Sequence, residues 1–174
     1  MCLVLSIFLK MDNKSAENNV TKGVVKFTLS SPIQFLALGF GSGLAPKAPG
    51  TFGTVAAIPL FYVMSDLSVS VYAAIVLFMT VVGVYICGKA ADEVGVHDHP
   101  AIVWDEIVGY LITMLMIPWS WHSVLVGFVL FRIFDIFKPW PISYVDKHCH
   151  GGFGIMFDDV LAGVAALVCM HIIY

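Results

Sequence analysis

The chain has 174 residues, 59% hydrophobic and only 12% charged, with a mean hydropathy of +0.91. Soluble domains carry about 25% charged residues, so the polar side chains here are too few to coat a water-soluble globule, and disorder and collagen-like repetition are excluded. A net charge of −3 from nine Lys+Arg and twelve Asp+Glu leaves no basic stripe for nucleic acid; one domain, mostly within a membrane, is expected.

Residues 1–31 read as a polar N-terminal tail carrying Lys10, Lys14, Lys22 and Lys26, with a short surface helix expected within 10–35. Met1 to Leu9 are apolar, but no basic residues precede them and no small-residue cleavage site follows, so a cleaved signal peptide is not expected. The domain proper is assigned to 32–174. Cys2, Cys87, Cys149 and Cys169 form no Cys-x-x-Cys pair, which argues against a disulfide framework.

Gly41-Ser-Gly-Leu-Ala-Pro-Lys-Ala-Pro-Gly-Thr-Phe-Gly-Thr54 reads as a loop entering the first long helix. Its glycines let backbone approach a ligand, and its hydroxyls can meet phosphate oxygens. The plainer reading is a connector with Thr51 or Thr54 as N-cap. It is not a Walker loop, because Gly-Lys-Ser/Thr is missing.

Uncharged runs then follow at 48–65, 67–88, 107–131 and 160–174. The second is long enough to span a bilayer by the criterion of about 20 residues. The third is split at Pro118-Trp-Ser-Trp121, which reads as a tight turn at a membrane interface. Helices are expected near 53–65, 69–88, 101–118, 122–138 and 158–174. No sustained alternation marks a strand. The fold class is all-α: a polytopic membrane bundle of about five apolar helices with its site on the cytoplasmic side.

With a cytoplasmic N-terminus, the inner segments are 1–52, 88–106 and 132–159. They hold all nine Lys+Arg and every acid except Asp66. The basic bias sets orientation. Acids are not needed inside for that purpose, so their gathering there points to a site.

Asp105 and Glu106 lie about one turn into an otherwise apolar helix, where adjacent carboxylates are costly unless paired or bound to a cation; the plainer reading is compensation of the helix N-terminal dipole. The His97-Asp98-His99 stretch before them reads as a solvated loop. Arg132, Asp135 and Lys138, spaced i, i+3, i+6, share one helical stripe; they form either a structural ion pair with a snorkelling lysine or a phosphate clamp beside a metal-binding acid. His148-Cys-His150 converges poorly for a soft metal. The glycine-rich stretch after it reads as a loop ending in Asp158 and Asp159, which open the last helix.

Together, Asp105, Glu106, Asp135, Asp158 and Asp159 suit a hard cation, with Mg²⁺ the leading candidate. Lys47, Arg132, Lys138 and the glycine-loop amides around Gly50 and Thr51 suit a phosphate. That combination is the layout for metal-assisted phosphoester hydrolysis. No Cys-x₅-Arg or Asp-x-Asp-x-Thr/Val nucleophile motif is present, and a single arginine is too few for an acid phosphatase of the lipid-phosphatase type.

Four ordered segments carry a resemblance: Gly41 to Thr54, Ile102-Val-Trp-Asp-Glu-Ile-Val-Gly109, Phe131-Arg-Ile-Phe-Asp-Ile-Phe-Lys-Pro-Trp-Pro-Ile142, and Gly151-Gly-Phe-Gly-Ile-Met-Phe-Asp-Asp-Val-Leu-Ala-Gly163. From about residue 32 to 170 the chain resembles bacterial phosphatidylglycerophosphatase A. The resemblance implies an all-α, Mg²⁺-dependent enzyme of the bacterial inner membrane. Its substrate would be a membrane phospholipid, phosphatidylglycerophosphate, dephosphorylated to phosphatidylglycerol. It carries the acidic positions onto Asp105, Glu106, Asp135, Asp158 and Asp159, and the phosphate side onto Arg132, Lys138 and the Pro49-Gly50-Thr51 turn. Lys47 rests on charge and location alone. On the residues, Asp105, Glu106, Asp135, Arg132 and Lys138 are the catalytic candidates, with Asp135 or Glu106 as base or nucleophile. The rival reading is a small ion-coupled transporter or channel subunit, which acids at mid-span would favour. Oligomeric state is left open.

Overall fold

The computed structural model describes residue 27, residues 29–96 and residues 99–174. The expected N-terminal tail and His97-Asp98 therefore lie almost wholly outside the described residues. In chain order come α1 (Pro32–Ala37), a 3-10 segment (Gly39–Leu44), α2 (Pro49–Met64), α3 (Val69–Val94), α4 (Trp104–Thr113), α5 (Trp121–Phe137), α6 (Ile142–His148) and α7 (Gly151–Ile173). No strand occurs among the described residues, so the molecule is all-helical.

Each boundary has a local cause. Pro49 starts α2, where a missing N–H costs nothing. Neither Thr51 nor Thr54 caps it: Ala48 holds that place in the left-handed region, and the Thr54 hydroxyl, inside the helix, donates to the Gly50 carbonyl at 2.9 Å. Gly95, also left-handed, stops α3 six residues past the expected end. Ser120 and Ser123 form a reciprocal capping box at the start of α5. At its other end Lys138 is left-handed and Pro139 follows, so the helix cannot continue.

The last helix departs most from expectation. Residues 151–157, read as a glycine-rich loop, are helical, and α7 begins at Gly151. Close packing explains this. A Cβ at Gly152 would lie 1.8 Å from the Val84 carbonyl oxygen, and one at Gly88 would lie 3.1 Å from the Gly152 nitrogen. Bare backbone there lets α3 and α7 touch, and that contact outweighs the low helix propensity of glycine. α4 is shorter than expected, ending at Thr113 before a turn that runs to Pro118.

α7 is the central helix, packed against α3, α4, α5 and α6. Tyr110, Phe131, Leu111, Met114, Met156 and Met170 fill the space between these helices. Around the outside, Leu77, Phe78, Val81 and Tyr85 of α3 and Leu125, Val129 and Ile136 of α5 are exposed. An apolar surface of that extent belongs in lipid. α3 and α7 are long and apolar enough to cross a membrane, with mean hydropathies of 2.3 and 1.9. Trp119 contacts Phe61, Tyr62 and Trp121 at the end where α2 stops and α5 starts. Such an aromatic group is typical of a membrane interface.

Candidate active site

α4, α5 and α7 bring their acids to one place at the end opposite that aromatic group. Asp105 and Glu106 occupy the first turn of α4, and Asp159 lies just over two turns into α7. One carboxylate oxygen from each of these three residues lies within 4.8 Å of the others. Asp105 and Asp159 are buried, and Glu106 is nearly so. The Glu106 Oε2 and Asp159 Oδ2 atoms are buried with no hydrogen-bond partner.

The cations divide between two neighbouring clusters. Arg132 Nη1 donates to Asp135 Oδ2 at 2.5 Å and stands 3.9 Å from Glu106 Oε1. Its Nε is buried with no partner. Asp135 is outside the three-acid group but within hydrogen-bonding reach of Asp159. Lys138 instead turns to Asp158 and Asp146, each at 2.5 Å from Nζ. Burial works against its charge, yet the two carboxylates hold the ammonium above its ordinary value. Asp158 thus faces Lys138, and its Oδ1 also accepts the Asp159 N–H at 3.0 Å.

Gly50 belongs to this site for a steric reason. A Cβ there would fall 2.1 Å from Glu106 Oε1 and 3.0 Å from Arg132 Nη1. The Thr51 N–H donates to the Ala48 carbonyl at 2.9 Å, so it is engaged in the helix start. Lys47 is exposed on the loop before α2. Asp146 went unnoticed in the sequence, because only the turn through Pro139 and Pro141 folds α6 back onto Lys138.

Asp158 and Asp159 do not open a helix, and the acids sit deeper than helix ends suggest. Gly83 of α3 packs against Trp104 and Met156, and the Trp104 indole donates to the Met79 carbonyl at 3.1 Å. Asp159 is three residues further along α7 than Met156. At 1.5 Å per residue it lies roughly 12 Å below Gly88, the last uncharged residue before Lys89. Beyond the acids the polar groups are hydroxyls bonded to backbone carbonyls, as Tyr72 is to Leu111 and Thr113 to Gly109, and among the described residues no chain of acids leads across.

Three close carboxylates, all hard donors, with the Glu106 Oε2 and Asp159 Oδ2 atoms orphaned, fit a hard divalent cation. Set beside a guanidinium and an ammonium in an apolar helical scaffold, they define a membrane protein equipped to handle a phosphate ester. A family profile described as "Phosphatidylglycerophosphatase A" matches residues 35–174. The chain is 47% identical over 149 residues to phosphatidylglycerophosphatase A of Escherichia coli (strain K12), covering 85% of this chain and 87% of the relative. Its identity to the Haemophilus influenzae protein of the same name is 46% over 159 residues, covering 90% and 96%. A Bacteroides thetaiotaomicron protein provisionally named a phosphatidylinositol-3-phosphatase is 37% identical over 146 residues, covering 79% and 90%. No solved structure matches. The chain belongs to the phosphatidylglycerophosphatase A family.

Proposed function

We propose that this enzyme removes the terminal phosphate of phosphatidylglycerophosphate, giving phosphatidylglycerol, at the pocket formed by Asp105, Glu106, Asp159, Arg132 and Asp135. The observation that carries the reading is the three-carboxylate group facing a half-buried guanidinium across Gly50. Asp105, Glu106 and Asp159 would hold Mg²⁺, which when bound supplies charge neutralisation at the phosphoryl oxygens and a lowered pKa for water.

The chain's own groups do the rest. Arg132 binds and orients the phosphoryl group, with Asp135 fixing the guanidinium plane through Nη1. Asp135 is next to the cluster without being one of its three close members. It accepts the proton of the attacking water as oxygen bonds to phosphorus, and passes that proton to the ester oxygen as the phosphorus–oxygen bond breaks, so that the lipid leaves as its alcohol. Lys138, oriented by Asp146 and Asp158, adds positive potential as charge builds in the transition state. Gly50 keeps the space between Glu106 and Arg132 open, and Lys47, exposed at the rim, attracts the anionic headgroup.

The chain is multi-pass in the bacterial inner membrane, α2, α4 and α5 joining α3 and α7 in the bilayer, with the pocket facing the cytoplasm. The gathering of Lys47, Lys89, Lys138 and Lys147 at the pocket end supports this, while Asp66 lies at the other end. An assay of phosphate release by the purified protein tests the activity. Phosphatidylglycerophosphate should be cleaved with Mg²⁺ and spared with EDTA; no release from it would refute the reading. Phosphatidylinositol 3-phosphate, run in parallel, should be the poorer substrate. Asp135→Asn should slow cleavage about 10²-fold or more.

A further inference from the structure

We propose that Tyr85, Phe137, Trp140, Tyr144 and Phe153 form a second aromatic belt, seated at the headgroup–hydrocarbon boundary of the leaflet on the pocket side. The short helix α6 then lies in the headgroup layer. This rests on the reading of the chain as a multi-pass membrane enzyme and adds the level at which the bilayer meets it. All five side chains are exposed, Trp140 the most at 81%. They come from α3, the end of α5, the turn after it, α6 and the start of α7. Gly88 touches Gly152, so Tyr85 and Phe153 stand within about one helical turn of the same level.

Continuity says what covers them. Leu125, Val129, Ile133 and Ile136 make one exposed apolar stripe along α5, and it runs unbroken into Phe137. The face that belongs in lipid therefore leads directly to the belt. At its end aliphatic side chains give way to Trp and Tyr, whose rings join an apolar body to a polar edge and suit the interface. Exposed lysines follow, Lys89 after Tyr85 and Lys147 after Tyr144, where a long stem can carry the ammonium out to headgroup phosphates. Ile142 is buried where α6 packs on α7, which leaves Trp140 and Tyr144 for the lipid. The spacing to the other belt also fits. The Tyr174 hydroxyl meets the His122 ring beside Trp121, so the end of α7 and the start of α5 share one level. From there α5 reaches Phe137 in about 24 Å and α7 reaches Phe153 in about 31 Å. The hydrocarbon core of a bilayer is about 30 Å thick, so the two belts bracket one bilayer. With the boundary at this level, Arg132 and Asp159 lie roughly 8–9 Å on its hydrocarbon side. A substrate headgroup must then sink below its neighbours to be cleaved.

Tryptophan emission of the full-length protein in phosphatidylcholine vesicles tests this. The share from Trp140 is the difference between the unmodified protein and Trp140→Phe, a conservative change at an exposed ring. Vesicles brominated near the carboxyl end of the acyl chains present the quencher close to the boundary; bromine near the methyl end presents it at mid-bilayer. The Trp140 share should be quenched about twofold or more strongly by the shallow bromine than by the deep one. The Trp121 share, taken the same way with Trp121→Phe, should show the same preference from the opposite leaflet. A Trp140 share untouched by either lipid, with Trp121 quenched as expected, would overturn the proposal and leave the multi-pass reading standing; α6 would then stand in water or under another protein. Equal or greater quenching of Trp140 by the deep bromine would overturn it too. If both shares escape quenching, the multi-pass reading fails along with it.

Discussion

Gly50 shows how much of the site depends on an atom that is not there. Its hydrogen lies where any other residue would drive a methyl into Glu106 and Arg132, both of which are side-chain ends that can move. Gly50→Ala should therefore fold, with thermal unfolding close to that of the parent, yet lose phosphate release by about 10²-fold through displaced groups; normal activity would show that this contact is unimportant. The acids themselves were legible in the sequence, since carboxylates in apolar helices are conspicuous. Their division was not: nothing in the spacing of Arg132, Asp135 and Lys138 says that the first two pair while the third turns to Asp146 and Asp158.

At the level of helices, glycine misled the reading of α7 because its meaning depends on what lies opposite. Gly151, Gly152 and Gly154 resemble loop residues until α3 is placed beside them; then Gly152 is the point at which the two long helices touch. Gly152→Ala would press a methyl against the Val84 carbonyl, a backbone atom that cannot step aside. It should destabilise the fold by roughly 1–3 kcal/mol or more, read as a lowered unfolding midpoint. Gly95→Ala has open space around it and faces only the left-handed strain, about 1–2 kcal/mol. If Gly152→Ala proved the milder of the two, the α3–α7 contact would not be close. Both ends of α5 were easier to anticipate, within a residue, because Ser120 and Pro139 act there through local geometry alone.

For the molecule as a whole, composition identified a membrane protein, the lack of strand alternation the all-helical class, and the structure supplies the depth of the pocket. Charge counting puts the acids at helix ends; packing against Gly83 puts them well inside the span of α3. The proposed orientation also makes a prediction at this scale. In intact inner-membrane vesicles of known sidedness, a cysteine at Asp66 should react with an impermeant maleimide only from the periplasmic face, and one at Lys147 only from the cytoplasmic face. The reverse pattern would overturn the topology.

The depth of Asp159 beneath Gly88 has a consequence for how the reaction ends. Its two products prefer different surroundings: phosphatidylglycerol is already at home among hydrocarbon chains, whereas inorganic phosphate is stable only in water. On the proposed orientation the lipid product would stay in the bilayer, and phosphate would leave toward the cytoplasm past Lys138 and Asp146, whose ion pair flanks the pocket. The short helix α6, which contains none of the acids of the pocket, would then border the way out of the anion.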